Sequence, residues 1–260
     1  EVIMEPIILL RKEFDQGEGD IIKQYLPMVH YRSEIPKNSL VVGRYACLPY
    51  YRELEQDIKN MGSQLINSYQ QHAYIANFDY YYDMEDYTFK TWFRFQDIPN
   101  TYREGAFVVK GRTNSKKLQW KTHMFCENYA KAVNLSLDLL NDPLIGEQGV
   151  IIRQYEPLET FEIGLNDLPM TNEWRLFFYQ EELLSYGYYW AIIDDLEKVQ
   201  KATADFEQTG IPFAKKIASI LKDNTNFFVI DIAKTMAGEW KVVEVNDGQQ
   251  SGLNEFNDPH

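Results

Sequence analysis

The sequence predicts an α+β protein that begins with a smaller unit of α/β type. Near the N-terminus an apolar strand, an amphipathic helix and a second strand follow one another, which is the order of a parallel α/β unit. From residue 106 onward, apolar strands come in pairs joined by polar turns, with helical segments between the pairs. Strand pairs of this kind favour antiparallel sheets. The two patterns together place a small α/β unit ahead of a larger α+β part.

Each N-terminal element is predicted from its own pattern. Short apolar runs predict strands at 6–11, 39–45 and 63–68. Between the last two of these strands, PYYRELEQDIKNMG carries apolar residues at helical spacing and ends in glycine, which predicts a helix. The aromatic run at 74–95 lacks interleaved basic residues until its end, which favours packing over base stacking.

The C-terminal elements alternate between strand pairs and helices. A helical apolar pattern covers 124–141, and an amphipathic helical region covers 195–222 with a break near Gly210 and Pro212. The predicted strands are 106–110, 149–155, 173–179, 183–191, 227–233 and 240–246. The third and fourth of these strands are predicted to form an antiparallel hairpin.

Composition excludes several classes of function. The net charge is −13, so the surface as a whole repels phosphate backbones and we predict no nucleic-acid partner. No apolar stretch reaches the roughly 18 residues of a membrane helix, so we predict no membrane association. Cys47 and Cys126 lie far apart in a chain without Cys/His clusters. We therefore predict no zinc site and a cytoplasmic protein.

The last two strands carry an unusual acidic pair. If Ala237-Gly238 forms a two-residue turn, Asp231 faces Glu244, with Asn246 on the same face and Val243 on the core face. Like charges opposite each other destabilise a sheet, whereas oxygen ligands at this spacing suit Mg²⁺. The alternative is an edge hairpin whose outer face is solvated, but that alternative does not explain the polar loop GQQSG that follows.

A lysine ends another apolar strand just before a polar loop. In AFVVKGRTNSKK, Lys110 and the loop amides can together hold a polyphosphate. The segment lacks the GxxxxGK[ST] pattern, and a lysine in this position is more often a solvated strand end. Arg153 is similarly ambiguous, because arginines often lie on exposed strand faces.

Taken in chain order, these segments resemble the ATP-grasp superfamily. The order is a strand with Lys110 and a polar loop, the connector QYEPLE, a strand opening with Glu-Trp-Arg, and then VIDIA and VVEVND. The resemblance covers residues 39–253 and is greatest to compact bacterial and phage ATP-grasp proteins regarded as peptide or amino-acid ligases. It implies an ATP-grasp fold, in which two α+β lobes clamp ATP behind a small α/β domain. The implied domains are 1–95, 96–158 and 159–260.

The resemblance also implies roles for individual residues. Asp231, Glu244 and Asn246 would hold one or two Mg²⁺ ions, and Arg175 would act on the γ-phosphate together with Lys110. The residues implied to contact ATP are Lys110, Gly111, Arg112 and the rest of the flap to Lys117, the hinge Gln154, Tyr155 and Glu156, Leu158 on the base, and Glu173 on the ribose. Lys90 or Arg94 matches the family's first nucleotide lysine. The flap departs from the family pattern in having one glycine, and the hinge in having Gln154 where glutamate is common.

The function that the resemblance implies is ATP-dependent ligation of a carboxylate to an amine through an acyl phosphate. The substrates would be small molecules or peptides, with an acceptor site near Gly248 and Ser251. Arg44 is either a carboxylate clamp in that site or part of a surface salt bridge. Two alternatives stay open, namely an ATP-grasp kinase acting on a hydroxyl and a non-catalytic nucleotide-binding module. A homodimer is also left open.

Overall fold

The computed structural model describes residues 4–15, 17–44, 50–143, 145–190 and 196–252. Four residues used above, Tyr45, Cys47, Ala191 and Asp195, lie outside these ranges. Among the described residues, no helix combines the length and apolar character needed to cross a lipid bilayer.

The N-terminal part contains a four-stranded sheet in the order β2-β1-β3-β4, and all of its pairings are parallel. Its elements are β1 (Glu5–Leu9), α1 (Glu18–Ile22), β2 (Met28–Val29), β3 (Ser39–Gly43), α2 (Tyr51–Asn60) and β4 (Gln64–Leu65). Tyr51, Leu54 and Ile58 on one face of α2 are buried against the apolar side chains of β1 and β3. The parallel α/β unit predicted from the sequence is therefore present.

The central part contains an antiparallel sheet in the order β5-β8-β6-β7. Its elements, preceded by two helices, are α3 (Tyr69–Ala76), α4 (Tyr80–Asp83), β5 (Thr91–Trp92), β6 (Phe107–Gly111), α5 (Trp120–His123), β7 (Phe125–Cys126), α6 (Tyr129–Leu140), α7 (Ile145–Gln148) and β8 (Val150–Gln154). The helix predicted from residue 124 begins only at Tyr129, because Asn128 caps it by accepting a hydrogen bond from the backbone of Lys131.

The C-terminal part contains a second antiparallel sheet, in the order β12-β11-β13-β14, beside a small hairpin. Its elements are β9 (Thr160–Ile163), β10 (Pro169–Thr171), β11 (Glu173–Tyr179), β12 (Glu182–Tyr188), α8 (Leu196–Asp205), α9 (Ile211–Leu221), β13 (Phe227–Lys234) and β14 (Trp240–Asp247). A π-helical segment, Phe206–Gly210, joins α8 to α9. One face of the sheet packs on these helices, and Phe78, Tyr80 and Tyr81 of the aromatic run are buried in the same core.

The turn between β13 and β14 differs from the predicted one, and a bulge compensates for the difference. The loop has three residues, because Thr235 donates its backbone N–H to the carbonyl of Glu239, and Gly238 adopts a φ of +86°. The register then shifts by one residue between Asp231 and Ile232, so Asp231 still lies opposite Glu244 as predicted. The placement of Val243 on the core face was wrong: Val242 is fully buried in the core, whereas Val243 lines a cavity.

Candidate active site

Arg175 and Asp231 form an ion pair on neighbouring strands. The two residues lie directly opposite each other on β11 and β13. Arg175 Nε donates to Asp231 Oδ1 at 2.8 Å, and Nη2 donates to Oδ2 at 2.8 Å. Asp231 is fully buried, and a bidentate guanidinium is the partner that best satisfies a buried carboxylate. Both oxygens of Asp231 therefore bind Arg175.

A second ion pair connects the central sheet to the C-terminal sheet. Lys110, on β6, donates from Nζ to Glu244 Oε1 on β14 at 2.6 Å. The two residues are only 5% and 7% exposed. Burial lowers the pKa of Lys110, and Glu244 offsets that effect only in part. For Glu244, burial acts to raise the pKa, but Lys110 and Lys117 outweigh it and hold the pKa below its ordinary value. Lys110 is thus a buried cation and not the solvated strand end considered above.

Lys117 is a third cation at the same place. Its ammonium donates to the hydroxyl of Tyr189 and lies 4.0 Å from the centre of that ring. Burial acts to lower the pKa of Lys117, but nearby Tyr189, Glu173 and Glu244 raise it above its ordinary value. Lys117 stays protonated at neutral pH and faces both cavities of the cleft.

The smaller cavity, of about 110 Å³, lies between the central sheet and the C-terminal sheet. Its predicted members are Lys110, Gln154, Tyr155, Glu156, Leu158 and Glu173. Most of its remaining lining is apolar or aromatic, including Phe89, Trp120, Met124, Val243 and Trp190. A narrow slot between apolar walls, with polar groups at its edge, suits a flat heteroaromatic ring.

The hinge amides have distinct partners. The backbone N–H groups of Gln154 and Tyr155 donate to the carbonyls of Lys90 and Ala106 at 2.8 and 2.9 Å. These two amides are thus used to hold β8 against its neighbours. Within the described part of the chain, the N–H of Glu156 makes no backbone hydrogen bond. Glu156 is therefore the hinge residue with an amide left to read a ligand edge.

Glu173 is buried in the smaller cavity with an unpaired oxygen. It is 4% exposed, and its Oε2 accepts from the hydroxyl of Thr171 at 3.1 Å. Oε1 has no hydrogen-bond partner among the described residues. Burial raises the pKa of the Glu173 carboxyl to about 7 from an ordinary value of 4.5. An unpaired buried carboxylate oxygen is a strong acceptor for a ligand hydroxyl.

The larger cavity, of about 920 Å³, adjoins the first at Lys117 and Glu244. Its walls are mostly polar and come from all three parts of the chain: α3, the flap after β6, and the C-terminal strands with the loop that follows β14. Arg175, Asn246 and Ser251 of the predicted site line it. The Ser251 hydroxyl donates to the carbonyl of Asp247 at 2.8 Å, which holds this loop against the strand.

Some predicted nucleotide contacts line neither cavity. At Gly111, a Cβ would lie 2.8 Å from the carbonyl oxygen of Asn114, so this glycine allows the flap to approach its strand. Arg112 lies over the ring of Phe93 instead of facing the cleft. Lys90 and Arg94 are exposed and pair with acidic neighbours, Glu85 at 3.6 Å and Asp97 at 3.7 Å.

Arg44 and Gly248 also lie behind the cavity wall. Arg44 pairs with Glu18 at 2.6 Å and donates to the carbonyls of Gly248 and Gln249 at 2.7 and 3.2 Å. The salt-bridge alternative for Arg44 is the one that the structure contains. At Gly248, a Cβ would lie 2.8 Å from the ring of Phe227. Both residues shape the loop after β14, and neither lines a cavity.

The predicted metal ligands fit an ion that binds together with phosphates. No group of three or more His, Cys, Asp or Glu is placed to hold a metal within the described ranges. Glu244 and Asn246 line the larger cavity, and Asp231 lies opposite Glu244. Mg²⁺ commonly takes one or two carboxylates and completes its shell with water and substrate phosphates. The oxygen donors therefore suit Mg²⁺ bound with a polyphosphate better than a metal held by protein alone.

Sequence reasoning missed the role of Arg153, which is 5% exposed. It donates to the hydroxyls of Thr91 and Thr88 at 3.2 and 2.5 Å, and to the carbonyl of Val243. The carbonyl of Val242 accepts from Thr88 at 2.7 Å. These bonds satisfy the backbone at the bulge that sets Glu244 opposite Asp231. The only signal for this role in the sequence was an arginine inside an apolar strand.

Comparison with known proteins decides the family. A family model described as an ATP-grasp domain, family 3 of its clade, matches residues 97–260, more than half of the chain. The chain belongs to this ATP-grasp family. The predicted resemblance and the predicted ATP-grasp fold are thus confirmed. A sequence comparison with curated proteins finds no match.

Solved structures support the same fold for this ATP-grasp protein. D-alanine–D-alanine ligase from Bacillus anthracis, complexed with ATP, is similar with a TM-score of 0.56 and 10% identity over 94% of this chain and 86% of that chain. The ATP-grasp ligase PsnB, complexed with minimal precursor, Mg and ADP, has a TM-score of 0.51 and 12% identity over 95% and 90%. A RimK domain ATP-grasp protein from Sphaerobacter thermophilus has a TM-score of 0.51 and 14% identity over 94% and 92%. At these identities the likeness concerns the fold.

Proposed function

We propose that this ATP-grasp protein is an ATP-dependent carboxylate–amine ligase that forms an amide or peptide bond through an acyl phosphate. The observation that carries the proposal is the junction of the two cavities. Lys110, Lys117 and Arg175 lie there beside Glu244 and Asn246. The narrow apolar cavity would hold adenine, the cations would hold phosphates, and the wide polar cavity has room for two further substrates.

Each predicted phosphate-binding cation is paired with a predicted metal ligand. Lys110 binds Glu244, and Arg175 binds Asp231. On binding of magnesium and ATP, the cations would turn to phosphate oxygens and the carboxylates to the metal. The charges of all four groups would stay compensated throughout, which avoids leaving a buried charge unpaired. Nucleotide and metal would therefore bind cooperatively.

The remaining ATP contacts follow from the smaller cavity. The N–H of Glu156 would donate to the base edge, and Leu158 would pack on the ring. Glu173 Oε1 would accept from a ribose hydroxyl, because it is the unpaired acceptor in this cavity. The flap residues Thr113 and Asn114, which both bond to Gln148, would close over the phosphates.

In the reaction, a substrate carboxylate would attack the γ-phosphorus of ATP to give an acyl phosphate and ADP. The amine would then attack the carbonyl carbon and release inorganic phosphate. Bound Mg²⁺ would neutralise charge on the phosphates. The protein groups contribute position and charge: Lys110, Lys117 and Arg175 would stabilise the negative charge that develops on the transferring group. The ligase titles of two similar structures agree with this proposal.

The decisive experiment measures ADP release with pools of amino acids and peptides, paired with mass spectrometry of the products. A ligase forms an amide and releases phosphate only when a carboxylate and an amine are both present. A phosphorylated alcohol among the products would instead establish a kinase. Binding of magnesium and ATP without ADP release under any pool would point to a non-catalytic module.

A further inference from the structure

A buried imidazole borders the larger cavity, and nucleotide binding does not account for it. His72, on α3, is 3% exposed, and both His72 and Asp247 line this cavity. Nδ1 of His72 lies 2.9 Å from Asp247 Oδ2. Within the part of the chain that the structure describes, Nε2 of His72 has no hydrogen-bond partner. Since buried polar atoms are nearly always hydrogen-bonded, this nitrogen needs an explanation.

Asp247 determines which ring nitrogen carries the proton. An ionised carboxylate only accepts hydrogen bonds, so Nδ1 donates, and Nε2 of the neutral ring is left with a lone pair. Asp247 is held in turn by Asn67 Nδ2 and by the backbone N–H of Gln249, each at 3.0 Å. The His72 ring stacks on Tyr51 with centroids 4.0 Å apart and planes within 3°. Both the tautomer and the orientation of the ring are therefore fixed.

A purely structural role explains only half of this arrangement. The bond from His72 to Asp247 joins the N-terminal part to the end of β14, and Asn67 makes the same connection through Phe227 and Asp247. That role uses Nδ1 and the ring face. It leaves a buried acceptor unsatisfied at Nε2, which costs stability unless a ligand supplies the donor.

We propose that His72 is the base for the acceptor amine and that Asp247 is its positioning residue. The inference rests on the ligase function proposed above. A proton passes from the ammonium group of the acceptor to Nε2, and the freed nitrogen lone pair forms the bond to the acyl-phosphate carbon. The bond from that carbon to the phosphate oxygen breaks, and inorganic phosphate leaves. The imidazolium, stabilised by Asp247, then returns the proton to solvent. The acceptor is accordingly a primary amine, such as that of an amino acid or peptide.

The test compares two acceptors. Hydroxylamine is largely unprotonated at neutral pH and attacks acyl phosphates without help from a base, whereas an aliphatic amine must first lose a proton. The wild-type protein is given magnesium, ATP and a pool of the standard amino acids, with or without hydroxylamine. We expect hydroxamates in the first case and amides in the second, both measured by mass spectrometry.

His72→Asn separates the two functions of the ring. Its side-chain amide retains a donor near the Nδ1 position and has no group at Nε2. We expect amide formation to fall by about 10² to 10⁴ while hydroxamate formation stays near the wild-type rate. Asp247→Asn should give a smaller loss that is also confined to amide formation. Tyr51→Phe is the matched control, because it keeps the stacked ring and removes only the hydroxyl, which lies 2.6 Å from Gln249 Nε2. It should change neither rate selectively.

Each other outcome is also decisive. If both products fall together in His72→Asn, the ring is merely structural and the inference is wrong. Unchanged amide formation overturns it as well. Absence of ADP and hydroxamate from the wild-type protein refutes the ligase proposal itself, and the inference falls with it. Circular dichroism checks folding, and if His72→Asn does not fold, Asp247→Asn carries the comparison.

Discussion

Glu173 and Arg175 lie two positions apart on β11, so their side chains share one face of the strand. Their environments nevertheless differ. Arg175 is neutralised by Asp231, whereas Glu173 has one oxygen without a partner among the described residues. Alternation along a strand predicts the shared face, but the partner of each charge depends on which strand lies alongside. Single residues of the cleft can be tested through these charges.

Glu173 should make stability depend on pH. Because burial raises its pKa to about 7 in the folded protein from 4.5, the folded state binds the proton more tightly. Its contribution is therefore full below pH 4.5 and is lost as pH rises to about 7, a decrease in unfolding free energy on the order of 2 to 3 kcal/mol. Glu173→Gln should remove this decrease, as measured by urea denaturation across that pH range. Glu197→Gln, at an exposed helical position, is the control and should keep it. Equal pH slopes in all three proteins would contradict the assignment.

Arg175→Met should destabilise the fold strongly. It leaves Asp231 fully buried without its cation, and removal of one partner from a buried pair costs about 3 to 5 kcal/mol. Neutralising the partner as well, in Arg175→Met with Asp231→Asn, should recover part of the loss. Chemical denaturation of the two single variants and the double variant measures the coupling. Strictly additive losses would show that the pair contributes nothing to stability.

At the scale of elements, β13 and β14 show how a turn and a bulge together set a register. The three-residue loop alone would shift the strands by one position, and the bulge at Val243 reverses that shift. The pairing of Asp231 with Glu244 follows from both features. Arg153 and Thr88, from outside the hairpin, bind the backbone at the bulge. The hairpin sequence alone therefore cannot reveal the bulge.

Two neighbouring valines test this register. Val242 is fully buried in the core, whereas Val243 is partly exposed at the smaller cavity. Val242→Ala should lower the unfolding free energy by about 2 kcal/mol, because it removes fully buried apolar surface and leaves a cavity. Val243→Ala should cost less than about 1 kcal/mol, since its side chain is only partly buried. Thermal and urea unfolding of both variants measure the difference, and the reverse order would restore the register predicted from a two-residue turn.

At the scale of the whole molecule, the cleft forms where three parts of the chain meet. Lys110 of the central sheet binds Glu244 of the C-terminal sheet, and His72 of the N-terminal part binds Asp247. The N-terminal part is also joined through Asn67, which is fully buried and bonds to Asn226, Phe227 and Asp247. The larger cavity is consequently a property of the assembled chain and of no single sheet.

Magnesium and ATP should stabilise this assembly together. A ligand that binds only the folded state adds about 2.7 kcal/mol at one hundred times its dissociation constant. We expect a rise in melting temperature with magnesium and ATP, and a much smaller rise with ATP alone, because Glu244 and Asn246 would bind the nucleotide through the metal. Glu244→Gln should lose the magnesium-dependent part. Glu181→Gln, whose residue pairs with Lys222 far from the cleft, should keep it. Unaltered stabilisation in Glu244→Gln would refute the metal assignment.

Much of the candidate site could be predicted because short-range rules apply to it. Apolar runs located β6, β8, β11, β13 and β14, and the residues that interrupt or end those runs are Lys110, Arg175, Asp231 and Glu244. The order of these segments along the chain indicated the ATP-grasp family before any coordinates were considered. Arg112 and Arg44 were less predictable, because each lies beside a cleft element yet turns to another partner.

The amino-acid sequence thus determined the fold class, the family and the strands that carry the charged residues, since strand periodicity and segment order are local properties of the chain. Tertiary structure alone decided which of those charges meet. Lys110 and Glu244 are 134 positions apart, and His72 and Asp247 are 175 positions apart. Contacts over such separations arise from the packing of three sheets against one another. No pattern within a single segment contains that information, and the pair of His72 with Asp247 became visible only in the folded molecule.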